Sequence, residues 1–157
     1  MTIELEVKAL QKLNMFRDVA AAKLKLLAMV SDRVTFRQGD AIFTRGEQSD
    51  AVFIVLDGSI ALTFTPEDGE GGSALTLRHS GSILLGEVGI LCGKKRSVTI
   101  IATSSLTALR IPGEDFMRLI RETPELAFAV MRQLAEQVDL KSRYLAENLT
   151  GEAAASQ

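Results

Sequence analysis

Histidine and cysteine are nearly missing from this chain, and their scarcity removes whole classes of chemistry. One histidine, His79, and one cysteine, Cys92, stand among 157 residues. A metal centre built on imidazoles needs several of them, so no metal cofactor is expected. A lone thiol cannot close an internal disulfide, which fits a cytoplasmic setting. A Cys–His catalytic pair would need both residues at once, and Cys92 reads more simply as a small core filler. With no carboxylate pair evident either, an enzyme is the least expected outcome.

An excess of charge of one sign is also lacking. The 18 basic and 20 acidic residues leave a net charge of −2. That is not the electrostatic footprint of a nucleic-acid binder, so no nucleic-acid partner is expected. The first residues carry Glu4 and Glu6 where a signal peptide has basic residues, and no continuous apolar run follows. No stretch reaches the roughly 18 apolar residues of a membrane span. What the chain does have is a 46% hydrophobic composition, enough for a real core, at a length that suits one domain.

The pattern along that domain changes twice. Leu10 and Leu13, then Leu24, Leu27 and Ala28, recur at helical spacing and predict short helices over 3–30, with a break at 14–18 and Asp18 as a cap for the second. From Asp32 short β-type runs alternate with turns at Gly39-Asp40, Gly46-Glu47 and Asp57-Gly58, the last a strong hairpin signal. Val52 to Leu56 reads as a buried strand, Pro66 to Gly72 as a flexible hairpin tip, and Val98–Ile101 and Leu106–Ile111 as the last two strands. Pro112-Gly113 stops the sheet, and helices follow over 114–148, with Pro124 opening the longer one. The fold class is therefore α+β: an eight-stranded antiparallel, jelly-roll-like β-roll over 32–112, flanked by helices at both ends. One domain over 1–149 and a frayed polar tail over 150–157 complete the expected organisation.

Residues 80–102 break the alternation and carry the chemistry. Gly86 to Leu91 suits a single helical turn, whose N-terminus offers free backbone N–H groups to an anion. Gly86 permits close backbone approach. Arg96, with its planar fork, suits a phosphate, and Glu87 offers acceptors to a sugar hydroxyl. The residues alone thus point to a ligand with a phosphate and a hydroxyl.

These motifs, together with Met15-Phe16-Arg17-Asp18, Gly39-Asp40-Ala41-Ile42-Phe43, Gly46, Phe53 to Gly58, Leu85-Gly86-Glu87 and Arg96-Ser97-Val98-Thr99, closely resemble the cyclic-nucleotide-binding domain family. That is the β-roll of the catabolite-activator and protein kinase A regulatory type, here without a helix-turn-helix. The resemblance covers about Leu13 to Leu145. It implies cAMP or cGMP as ligand, with cAMP favoured. It implies that Arg96 and Ser97 hold the cyclic phosphate and that Glu87 accepts from the ribose 2′-hydroxyl beside Gly86. Val88 and Ile83 would line the sugar and base. The chain departs from the family pattern at Leu85, where an aromatic is frequent, and at Lys95, where proline is frequent.

Met131, Leu134, Val138, Leu145 and Leu149 form one apolar stripe on the last helix, interrupted by Ser142. By the same resemblance a hydroxyl pair near this point touches the purine in catabolite-activator domains. Here that pair reads Lys141-Ser142, and Arg143 is a second base-capping candidate. The expected function is a regulatory sensor whose C-terminal helix moves, or pairs with a second copy or a partner protein. Too few residues follow Asn148 for a DNA-binding module. The alternative is a β-roll interaction protein that has lost or changed its nucleotide.

Overall fold

The computed structural model describes the backbone of residues 2–64 and 75–155, and the side chains of these except 75 and 148–155. The segment Pro66 to Gly72, read as a hairpin tip, and the Leu149 side chain lie outside the described residues. The chain opens with α1 (Ile3–Gln11), a 3-10 turn (Asn14–Phe16) and α2 (Ala21–Met29). Eight strands follow among the described residues: β1 (Asp32–Phe36), β2 (Ala41–Phe43), β3 (Ala51–Asp57), β4 (Ser59–Phe64), β5 (Leu75–Ser80), β6 (Ile83–Leu85), β7 (Thr99–Ala102) and β8 (Leu106–Pro112). The short α3 (Glu87–Cys92) interrupts them, and α4 (Gly113–Glu122) and α5 (Pro124–Ala155) close the chain.

The strands form two four-stranded antiparallel sheets, ordered β1-β8-β3-β6 and β2-β7-β4-β5. β3 explains the arrangement. Its residues Ala51 to Val55 are all buried, because both faces are covered. Val52 and Ile54 pack with Leu109, Ile111, Phe116 and Leu126 under the helices. Phe53 and Val55 pack with Ile60, Ile100 and Leu106 between the sheets. A strand buried on both faces loses its polar alternation and reads as a continuous apolar run. Each such side chain contributes about 1.5–3 kcal/mol on burial. The turn into β4 requires Gly58, whose φ is +116° and whose missing Cβ would stand 2.7 Å from the Ser105 carbonyl oxygen.

Several expectations are corrected. The three-residue strand β6, too short to show a period, lies inside the stretch that had no assigned element. Asp18 does not cap α2, whose N-cap is Ala20. It instead accepts from Arg132 of α5 at 3.0 Å, and that hydrogen bond holds its carboxyl below the ordinary carboxylate range. Cys92 is exposed at the end of α3 rather than in the core. The backbone of α5 continues to Ala155, past the expected end at Asn148; Glu152 and the alanines 153–155 are strong helix formers.

Candidate functional site

β6 pairs with β3 through Phe53↔Leu85, which delivers Gly86 to the edge of the first sheet, beside Ala51. Gly86 turns the chain with φ +84° and is the N-cap of α3. The segment after α3 returns to the same place. Arg96 N–H donates to the Glu47 carbonyl and Gly46 N–H donates to the Arg96 carbonyl, both at 2.9 Å. These bonds fix the Arg96 backbone against the β2–β3 turn.

Arg96 is 4% exposed. Its Nη1 donates to the Gly86 carbonyl at 3.1 Å and its Nη2 to the Ala51 carbonyl at 2.7 Å. Asp50 lies 3.6 Å from Nη2, and the guanidinium covers the Phe43 ring at 4.2 Å from its centroid. Nε is buried with no partner among the described residues. Burial pulls the Arg96 pKa down, opposed chiefly by Asp50. A buried cation with an unmatched N–H is costly to leave so and is a receptor for an anion.

Glu87, also 4% exposed, opens α3. Burial pushes its carboxyl up, opposed by its own backbone N–H, then by Lys141 and Arg96. Arg96, Glu87 and Gly86 all line one cavity of about 260 Å³. Ile83, Val88 and Ser97 line it too, and Leu62, Phe64 and Leu77 of the β4–β5 hairpin form an apolar wall.

α5 covers this cavity with only one of the residues the sequence pointed to, Lys141. Gln137, Leu140, Lys141 and Tyr144 line it. Ser142 and Arg143 do not: both are exposed, and Arg143 pairs with Asp139 on the outer face. The cause is helical phase, since each step past Lys141 rotates a side chain by about 100°. Gln137 Nε2 donates to the Leu84 carbonyl at 3.2 Å, and the Lys141 ammonium stands 5.8 Å from the Phe64 ring centroid. Phe43, Gln137 and Tyr144 were not foreseen. The signal for Gln137 and Tyr144 was the spacing of 137, 141 and 144, which the more apolar stripe on the neighbouring face masked.

A model of the cyclic nucleotide-binding domain matches residues 33–123, more than half of the chain. The chain belongs to the cyclic nucleotide-binding domain family. It is 30% identical over 125 residues to the cyclic AMP receptor protein of Thermus thermophilus, covering 79% of this chain and 56% of that protein. The crystal structure of the Thermus thermophilus catabolite activator protein superposes with a TM-score of 0.69 at 28% identity, over 84% of this chain and 62% of that one. The regulatory domain of Toxoplasma gondii PKA, crystallised with cAMP, shares the fold with a TM-score of 0.72 at 18% identity, over 85% and 50% of the two chains. This chain spans between 20% and 59% of the length of the first curated relatives it matches. The cavity of this cyclic nucleotide-binding domain is lined by the roll, by α3 and by α5.

Proposed function

We propose that this chain binds a 3′,5′-cyclic mononucleotide, cAMP in preference to cGMP, and acts as a regulatory sensor and not as a catalyst. The observation that carries the reading is Arg96: a buried cation with an unmatched Nε, on the wall of a cavity it shares with a buried carboxylate. In this reading Arg96 and Ser97 hold the cyclic phosphate. Glu87 accepts from the ribose 2′-hydroxyl, and Gly86 lets the ligand approach the backbone. Ile83 and Val88 flank the sugar and base. The likeness to the cyclic AMP receptor protein favours cAMP. The lone Cys92 suits a cytoplasmic setting, and no described helix is long and apolar enough to cross a membrane.

Titration calorimetry with cAMP and cGMP tests it. Saturable binding at low-micromolar Kd or tighter is expected. Absence of heat and saturation with both nucleotides overturns the proposal in favour of a roll that serves interaction alone.

The output would leave through α5, in contact with the cavity through Gln137, Leu140, Lys141 and Tyr144. Its outer face is apolar and exposed at Phe128, Met131, Val138 and Leu145. With Ala135 and Ser142 these positions follow alternating steps of three and four, the spacing of a two-helix seam. A second copy of this chain is the partner that such a self-complementary stripe fits.

A further inference from the structure

Between α3 and β7 the segment 93–98 has no helix or strand to hold it. It leans instead on the turn from β2 into β3. The Arg96 backbone bonds to Gly46 and Glu47, and its guanidinium meets Asp50 and the Ala51 carbonyl. Ser49 of the same turn fastens the loop one step earlier. Its hydroxyl donates to the Lys94 carbonyl at 2.7 Å, across 45 residues of chain. α3 is shaped to admit that hydroxyl. Gly89 is buried in the middle of the helix, where glycine weakens it. A Cβ on Gly89 would overlap Ser49 Oγ, and it would stand 2.7 Å from Ser49 Cβ and 2.9 Å from the Lys94 carbonyl oxygen. Lys94 N–H also donates to the Gly89 carbonyl at 3.0 Å. One turn, one helix and one loop therefore interlock at Ser49, Gly89 and Lys94.

We propose that Ser49 is a positioning residue for the phosphate site: its hydroxyl holds the 93–95 loop, and through it Arg96, in the geometry that receives the anion. This rests on the cyclic-nucleotide reading above. Ser49 is not among the residues lining the ligand cavity. It lines a separate open cleft with Gly89, Lys94 and Gly113. α3 delivers Glu87 at its start and the loop delivers Arg96 at its end, so the hydroxyl stands at the joint between the two. Its bond to Lys94 lies at the surface, where water can replace a lost donor, and the fold does not depend on it. What depends on it is the order of the loop, and a receptor that must be ordered on binding has lower affinity.

The test is titration of the parent with cAMP and cGMP, and of Ser49→Ala and Ser49→Thr with cAMP, each variant alone and combined with Arg96→Leu. NMR detection keeps the weak binding of Arg96→Leu measurable. Ser49→Ala is expected to melt within about 4 °C of the parent. It is expected to bind cAMP about ten-fold more weakly. Ser49→Thr keeps the hydroxyl and has the open cleft for its methyl, so it is expected to bind within about three-fold of the parent. Combined with Arg96→Leu, Ser49→Ala is expected to change affinity by less than about two-fold, since the loop then has no guanidinium to place. Parental affinity in Ser49→Ala, an equal loss in both backgrounds, or a threonine variant as weak as the alanine one overturns the role of Ser49 and leaves the cyclic-nucleotide reading intact. A parent that binds neither nucleotide overturns that reading itself. Gly89→Ala displaces the same hydroxyl, and adding Ser49→Ala to it is expected to weaken binding by less than about two-fold more. A full second loss overturns the interlock.

Discussion

Arg96 and Gly86 occupy one another's space. Arg96 Nη1 donates to the Gly86 carbonyl at 3.1 Å, and a Cβ added to Gly86 would stand 2.6 Å from that same nitrogen. The glycine is therefore required twice, for its φ of +84° and for the guanidinium packed where a side chain would be.

Gly86→Ala is expected to displace Arg96 and to strain the turn into α3. A left-handed conformation costs an L-residue about 1–2 kcal/mol. Thermal unfolding should shift down accordingly, and cyclic-nucleotide affinity should fall at least ten-fold. A variant with parental melting temperature and affinity would refute the coupling.

Arg96→Leu is expected to weaken binding by about 30-fold or more, since removing one partner of a buried charged pair costs roughly 2–5 kcal/mol. The fold should persist, because leucine fills the apolar space beside Phe43 and removes the unmatched Nε, although the Gly86 and Ala51 carbonyls each lose a donor. Circular dichroism and calorimetry on the same sample separate the two effects.

Glu87→Gln is expected to act in opposite directions on stability and on binding. Burial raises the Glu87 carboxyl, so the folded state holds its proton to higher pH than the unfolded chain does. Its contribution to stability is fully present below the unfolded value and is lost as pH rises through the folded one. The glutamine variant should therefore be more stable than the parent at neutral pH, with the difference vanishing on acidification below the ordinary glutamate range. Binding of cAMP should weaken about ten-fold or more, since hydrogen bonds to charged groups contribute about 1.5–3 kcal/mol. The loss should shrink for a 2′-deoxy analogue. Denaturant melts at two pH values and paired titrations check both halves.

Ligand is expected to slow amide exchange in 125–147 of α5 as well as in 86–97. A ligand shifts the helix only by its differential affinity for the two positions, and α5 shares the cavity wall through Gln137 and Lys141. Protection confined to 86–97 would leave α5 a fixed packing element.

Met131→Glu combined with Val138→Glu is expected to convert a dimer to a monomer in sedimentation equilibrium, with the roll still folded. Both side chains are more than half exposed, so neither charge would be buried in the single chain. A parent that is monomeric at the highest concentrations would exclude the second copy as partner.

Much of this molecule was legible from local pattern. Strand runs, Asp57-Gly58 and Pro112-Gly113 placed the roll, because pleat, turn and stop signals act over a few residues. Residues 83–97 stood out because a turn-forming Gly86 and the arginine Arg96 interrupt apolar strands. β6 escaped because three residues are too few to show a period, and its strand identity comes from pairing with β3.

Which face of α5 meets the cavity was decided by tertiary structure alone. The most apolar stripe, through Met131, Val138 and Leu145, faces outward, while Gln137, Lys141 and Tyr144 face the roll. Hydrophobic periodicity reports that a face is apolar, not what covers it, and the phase of α5 is set by Leu126, Ala129 and Val130 packing into the helical core and by Arg132 bonding to Asp18 and the Met15 carbonyl. Local pattern sufficed for the roll and for the residue types of the site, because pleat, turn and charge signals act over a few residues. Only the packed chain, in which contacts more than 100 residues apart orient one helix, decided that Lys141 and not its neighbours Ser142 and Arg143 borders the cavity.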